Sequence, residues 1–447
     1  MATPSEPAPI ERATPAPPPS AAQPPATPPV SAMVGEIEQC LQELVSGLAI
    51  DLADPPRVGA GRPRILPSLC LWAGLVVCVL RGFHSQLALW RLLQAGGLWQ
   101  YPRCPISDQA VYRRLATGGT APLERLFAQL SAVLADRLAP YTSHAVAQLA
   151  PFARTVVALD ATTLDKVARL LPSLRPLPGD DPGLLPGKLS GLFDLRLQQW
   201  RALRWTVHPH ENDKVAAWDL LADLPTGSLV LADLEYFGFA WFDELTNRGH
   251  WWVSRLRAKT SVEVIHTYYD RDGVFDGLVW LGVHRADRAQ HAVRLVRFPR
   301  DGRTSQYLTN VRDPQRLPLA MIAQLYARRW DIELAFKLLK RELGLHLLWA
   351  AKPEVVAQQV WAALIIAQVL QALRLEIAGR AGVDPYEVSL PLLVQYLPQY
   401  AALGWDPVAT FLELGRALRF IRPSSRTVIT APVIPRRRCA PSRQTWT

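Results

Sequence analysis

Lysine is scarce in this chain: only seven of its 49 basic residues are lysine, at positions 166, 188, 214, 259, 337, 340 and 352. The net charge of +10 and the pI near 9.6 are therefore carried by arginine. The chain is also heavy in Ala, Leu and Pro, the bias that a GC-rich genome writes, so the basicity permits a polyanionic partner, nucleic acid before anionic membrane, without demanding one. Cysteine is sparse too. Five of them, Cys40, Cys70, Cys78, Cys104 and Cys439, are an odd number in 447 residues and form no CxxC pair. This excludes a disulfide scaffold and argues against zinc. Charged residues make up only 20%, too few for a chain that is disordered throughout. No basic stretch followed by an apolar one opens the sequence, so secretion is not signalled and a cytoplasmic protein is expected. Long apolar runs are missing as well. The one membrane-like stretch, Ile65 to Leu80, falls short of the roughly 20 residues of a span and carries Pro67 and Ser68 near its start, so it reads as a buried helix. No basic amphipathic helix with an aromatic face stands out, and no fixed-period repeat is visible.

What the chain does have is apolar material, 49% of its residues, enough for a large core and for two to four structural units. Residues 1–33 hold eleven prolines and eight alanines and read as a disordered tail. From 34 to 150 the apolar residues recur with a helical period: Ile37, Leu41 and Leu44, then 65–80, 85–95 and 120–139. This predicts an all-helical domain, a candidate for DNA binding through the basic helix it contains. Within it Ser107 caps a short helix, Asp108 to Ala116, whose Tyr112, Arg113 and Arg114 could enter a groove or form an ordinary solvated face. After Pro151 the period changes to two. Thr155 to Leu159 is a strand stopping at Asp160, Leu192–Leu197 and Leu203–Val207 pair as a hairpin around 198–202, a helix follows from Lys214 to Leu224, and Ser228–Ala232 is a strand stopping at Asp233. Strands fill 251–312, separated by Arg-Asp-Gly turns, and helical patterns run over Pro318–Leu343 and Pro353–Ile377. A helical segment at 381–421 precedes a basic, flexible tail at 422–447, with six arginines and no acid. The order of elements predicts an α/β fold: a mixed-sheet core over 151–250 and 313–380, interrupted by a β-rich insertion over 251–312.

Two aspartates at strand ends, Asp160 and Asp233, would converge if their strands are neighbours, because ligands bind beyond strand ends in open α/β sheets. Asp is also a common strand terminator, and Asp165, Asp180, Asp181 and Asp194 compete for the role. The helix around Glu333 carries more information. Tyr326, Arg329, Glu333 and Lys340 fall at offsets 0, 3, 7 and 14, within an arc of roughly 60°. Leu325, Ile332, Phe336, Leu339 and Leu343 flank this polar stripe on one side, Trp330, Leu334 and Leu338 on the other. A charged line between apolar surfaces is costly unless paired or metal-bound. The competing reading is a local Arg329–Glu333 ladder worth only about 0.2–0.5 kcal/mol.

The spacing Tyr326-x2-Arg329-x3-Glu333-x6-Lys340 resembles the Y-R-E-K signature of DDE insertion-sequence transposases of the insertion-sequence-four type. Asp160-Ala161-Thr162 and Asp233-Leu234-Glu235-Tyr236-Phe237 are similar to that family's first and second acidic blocks, with Glu235 where the family has glycine. Trp252-Val253-Ser254-Arg255 and Leu308-Thr309-Asn310 resemble its V-x-R and T-N strands, and the likeness extends over about 105–375.

The resemblance implies an RNase H-like core and a bacterial cut-and-paste transposase, nucleoid-associated when bound, that cleaves and joins DNA phosphodiesters at inverted-repeat ends. Asp160, Asp233 and Glu333 would be the catalytic metal ligands for two Mg²⁺ ions, with Mn²⁺ a possible substitute. Such a metal pair, about 3.5–4 Å apart, stabilises the attacking and leaving oxygens together. Tyr326, Arg329 and Lys340 would hold DNA phosphates. A homodimer in the synaptic complex, no membrane, and a hairpin intermediate with a flipped base are implied as well. Trp251, Trp252 and Tyr307 are candidates to hold that base, or else core residues. The alternatives are a catalytically inactive, domesticated DNA-binding protein and a nuclease of similar fold that does not join strands.

Overall fold

Asp160 lies inside a strand rather than at its end. In the computed structural model, which describes residues 66–83, 85–95, 103–141, 149–164, 187–283, 288–424, 426 and 428–434, β1 runs from Val156 to Leu164. It outlasts the expected Thr155–Leu159 because β2 (Gly187–Asp194) pairs with it antiparallel along its length, Val157 opposite Asp194 through Leu164 opposite Gly187. On its other side β1 pairs parallel with β4 (Leu229–Ala232), and that ladder does stop at Leu159 opposite Ala232. The hairpin partner β3 (Gln199–Thr206) and β2 lie several residues earlier than their apolar runs indicate. Asp194 sets the turn: its Oδ1 accepts from the Arg196 and Leu197 N–H groups, 2.9 Å each, ending the strand.

The remaining strands are β5 (Trp251–Arg255), β6 (Val262–Arg271), β7 (Val274–Leu281), β8 (Val293–Arg300) and β9 (Arg303–Thr309), and all nine join one sheet in the order β3-β2-β1-β4-β5-β9-β8-β7-β6. The stretch expected as an insertion is thus continuous with the core sheet, and β5 is itself the parallel neighbour of β4. Both Arg-Asp-Gly turns are two-residue hairpin loops with positive φ at each central residue, Asp272 (52°) with Gly273 (73°) and Asp301 (50°) with Gly302 (70°). That is the backbone twist a tight hairpin demands.

Helices cover both faces of the sheet. One face packs Val157, Leu159 and Leu192 against α5 (Asp213–Leu221) and α6 (Phe239–Asn247) of the sequence between β3 and β5. Helices α1 to α4, Ser68–Leu80, Gln86–Ala95, Asp108–Thr117 and Ala121–Leu138, precede the sheet in the sequence. The opposite sheet face packs Val156, Ala158 and Phe193 against α7 (Leu319–Arg328), α8 (Trp330–Lys337) and the buried helix α9 (Pro353–Ala381). By length and composition α9 could cross a membrane, but most of its surface is buried here. The cap expected for α3 is present, Ser107 Oγ accepting from the Ala110 N–H at 3.2 Å.

The four described N-terminal helices do not close a core of their own. Their buried leucines are continuous with those of α9. Amide side chains on α9 fasten both neighbours: Gln358 Nε2 donates to the Leu115 carbonyl at 2.7 Å, and Gln368 pairs with both the Trp200 N–H (2.9 Å) and carbonyl (3.0 Å) on the outer strand β3. Buried backbone groups at a sheet edge need such partners. Beyond α9 lie α10 (Leu390–Ala402) and α11 (Pro407–Glu413). Residues 1–33 and Ile37, Leu41 and Leu44 lie outside the described residues.

Candidate active site

Asp160 and Asp233 occupy equivalent positions, each one residue beyond the last pair of the parallel β1–β4 ladder. Neighbouring strands lie about 4.8 Å apart, so the two carboxylates leave the sheet side by side. Each is oriented by a backbone donor: Asp160 Oδ1 accepts from the Ala161 N–H at 2.9 Å, and Asp233 Oδ1 from the Leu234 N–H at 2.6 Å.

The helical stretch expected as one unit from Pro318 to Leu343 divides into α7, a junction at Arg329 that keeps helical dihedrals (φ −51°, ψ −33°), α8, and a π-helical turn over Leu338–Glu342. Arg329 is 6% exposed and bridges two of the acids, with Nη2 2.8 Å from Glu333 Oε1 and Nη1 3.8 Å from Asp160 Oδ2. The ladder reading is therefore present but incomplete, because the same guanidinium reaches across to β1. Among the described residues its Nε and Nη1 have no hydrogen-bond partner. Lys340 sits in the π turn, a feature frequent at functional sites, and its Nζ donates to Thr162 Oγ1 on β1 at 2.6 Å. Tyr326 is buried against Tyr307, ring centroids 5.1 Å apart, and its hydroxyl has no partner among the described residues.

Burial pushes the Asp160 carboxyl up to about 7, reinforced by the nearby charges of Glu333 and Asp233 and opposed by the Ala161 N–H and Arg329. Glu333 is raised by burial and by Asp233, with Arg329 pulling the other way. The structure thus brings Asp160, Asp233 and Glu333 within electrostatic reach of one another around one guanidinium. Among the described residues no three His, Cys, Asp or Glu side chains stand ready to enclose an ion. The donor set nevertheless fits a hard divalent cation, being carboxylate oxygens only.

Of the competing aspartates, Asp194 is 2% exposed and engaged by its turn and by Arg201 Nε at 3.0 Å, a structural role. Asp165, Asp180 and Asp181 lie outside the described residues. Glu235 is exposed and hydrogen-bonded to Asp213. Two of the three aromatics considered for a flipped base are core residues: Trp252 (1% exposed) stacks on Phe242 at 4.2 Å, and Tyr307 is 3% exposed. Trp251 packs edge-on against Phe152 and lies under Arg316. The aromatic that the site does expose is Trp330, 54% accessible and 5.7 Å from the Arg329 guanidinium. The helical period had placed it on an apolar flank. No local pattern of the sequence distinguishes it from the leucines of that flank.

Comparison with known proteins gives a similarity to one family. The sequence matches the model described as transposase DDE domain over residues 180–369, a range that takes in Asp233, Arg329, Glu333 and Lys340 but not Asp160. The transposase InsG for insertion sequence element IS4 of Escherichia coli (strain K12) is 28% identical over 173 residues, 36% of this chain and 37% of that protein. The chain thus matches little more than a third of that relative's length. A solved structure, the cryo-EM piggyBac transposase synaptic complex with hairpin DNA, aligns with a TM-score of 0.40 and 8% identity over 88% of this chain and 83% of that chain, a likeness too slight to fix fold or chemistry. By the two sequence matches, residues 180–369 are similar to a transposase DDE domain, and part of the chain is similar to the transposase of an insertion sequence.

Proposed function

We propose that the chain is a cut-and-paste DNA transposase whose catalytic acids are Asp160, Asp233 and Glu333. The observation that carries this reading is Arg329 joining Glu333 on one helix to Asp160 on β1, with Asp233 at the matching position of β4, in a chain whose residues 180–369 are similar to the transposase DDE domain. The strand order β3-β2-β1-β4-β5, with β1 antiparallel to β2 and parallel to β4, supports an RNase H-like core extended at β5 by four antiparallel strands.

Two Mg²⁺ ions held by the three carboxylates would stabilise the charge that develops on the attacking and leaving oxygens of a phosphodiester. The protein's own part is to keep Asp160 and Asp233 fixed through their backbone N–H bonds and to deliver Glu333 from a helix that the sheet supports. Arg329 neutralises the acids in the free protein and turns its unpartnered nitrogens to a phosphate of the transposon end when DNA binds. Lys340 holds the next phosphate as a point charge, tied meanwhile to Thr162. Tyr326 packs beneath them, and exposed Trp330 is placed to stack on an unpaired base at the end. A homodimer that pairs two ends completes the reading.

The test is incubation with supercoiled plasmid carrying the element's own inverted repeats, in Mg²⁺ and with target DNA. Cleavage at the ends followed by joined products is expected. Cleavage without joining identifies a nuclease, and binding without cleavage an inactive DNA-binding protein.

A further inference from the structure

The far side of α8 carries a buried carboxylate that the chemistry above does not use. Asp331 stands two residues before Glu333, a spacing that puts the two side chains on different faces of the helix, and it is fully buried. Its Oδ2 accepts from Arg426 Nη2 at 2.7 Å and its Oδ1 from Arg426 Nε at 3.1 Å, a two-point contact, while Gln198 Nε2 donates to Oδ2 at 3.3 Å. The remaining arm of Arg426, Nη1, donates to both oxygens of Asp384 at 3.2 and 3.1 Å. The guanidinium lies 3.8 Å from the centre of the Tyr386 ring. Arg328, the last residue of α7, joins the same Asp384 at 3.2 Å.

Arg426 belongs to the stretch that composition marks as a flexible basic tail, yet its side chain is only 9% exposed. The segment is anchored on either side of it. Upstream, Ile421 bridges Val388 and the Arg422 N–H donates to the Glu387 carbonyl at 3.0 Å. Downstream, Ile429 is buried in the main core. A basic tail that served only to attract DNA would leave its arginines in water. This one is spent on two carboxylates, one of them on the helix that presents Glu333 and Arg329.

We propose that Arg426 is a positioning residue: the C-terminal segment grips α8 from behind through Asp331 and thereby fixes the rotation at which Glu333 and Arg329 meet Asp160. Planar two-point guanidinium–carboxylate contacts specify orientation as well as attraction, which suits that task better than apolar packing. The inference rests on α8 being the helix that supplies the catalytic glutamate.

The full-length chain with Arg426→Ala and with Arg426→Lys tests it, by single-turnover end cleavage at saturating enzyme beside end affinity, at a temperature where each variant is folded by circular dichroism. Arg426→Ala is expected to keep its affinity for the transposon end and to cleave on the order of 10²-fold more slowly, as a misplaced catalytic group does, with Arg426→Lys intermediate. If Arg426→Ala does not fold, Arg426→Lys alone decides, slowed cleavage at unchanged affinity being the expected result. Wild-type cleavage by the folded variant overturns the proposal. So does a loss of affinity that matches the loss of rate, which would make Arg426 a DNA contact. Glu333→Gln run in parallel separates the two claims: if it cleaves like wild type, the catalytic reading of α8 has failed rather than the grip upon it.

Discussion

Asp160 is where the chemistry of the site meets the stability of the fold. Its folded-state pKa of about 7 lies above the ordinary 3.8, so its contribution to stability is complete below about pH 4 and is lost as pH rises through about 7. Asp160→Asn is expected to raise the melting temperature of the metal-free protein at pH 8 and to leave it nearly unchanged at pH 4. Added Mg²⁺ should raise the melting temperature of the wild type at pH 8, since a ligand of the folded state stabilises it, and should do little for Asp160→Asn. Thermal denaturation at the two pH values checks both. An Asp160→Asn protein that responds to Mg²⁺ like the wild type would remove Asp160 from the ligand set. Arg329→Ala should weaken binding to the transposon end and lower the steepness of its salt dependence by about one unit, measured by titration across salt concentrations. A lower melting temperature with unchanged affinity and cleavage would reduce Arg329 to scaffold. At this scale the sequence was informative because a helical period fixes which residues share a face. The reach of Arg329 to Asp160, and the exposure of Trp330, depend on how α7 and α8 meet the sheet, which no local pattern encodes.

Among the elements, β2 and α8 are coupled through a glycine. Gly191 lies opposite Asp160 in the β1–β2 ladder, and a Cβ there would come within 2.5 Å of the Trp200 ring and 3.4 Å of Phe336 on α8. Trp200 and Phe336 are themselves packed at 4.9 Å. Gly191→Ala is therefore expected to destabilise the protein by about 1–3 kcal/mol and to slow cleavage by pushing on the helix that carries Glu333, read from denaturant unfolding and end cleavage. Wild-type stability would show that Trp200 yields freely. Most elements were legible: the apolar strands, the two Asp-Gly turns that need positive φ, and the capped helix after Ser107. The segmentation at Arg329 and the π turn at Lys340 were not, because both leave the helical period of the sequence intact. Strand ends shifted for a similar reason, β1 being prolonged by its partner rather than by its own residues.

In the molecule as a whole, one sheet carries both the acids and the stretch that composition set apart as an insertion, and one buried helix ties the N-terminal helices to that sheet. Arginine content alone overstated the free positive surface, since Arg294, Arg329 and Arg374 are buried, and Arg426 half-buried, beside carboxylates, amides or aromatic rings. The central claim is that Asp160, Asp233 and Glu333 act as one catalytic set on DNA held mainly by other contacts. Asp233 is its sharpest point of test, because it meets the other two through the sheet and not through Arg329's hydrogen bonds. The measurement is Mg²⁺-dependent cleavage of the element's own ends by Asp233→Ala, with end binding measured on the same preparation. Binding close to wild type with cleavage abolished is expected; cleavage at the wild-type rate would contradict the assignment.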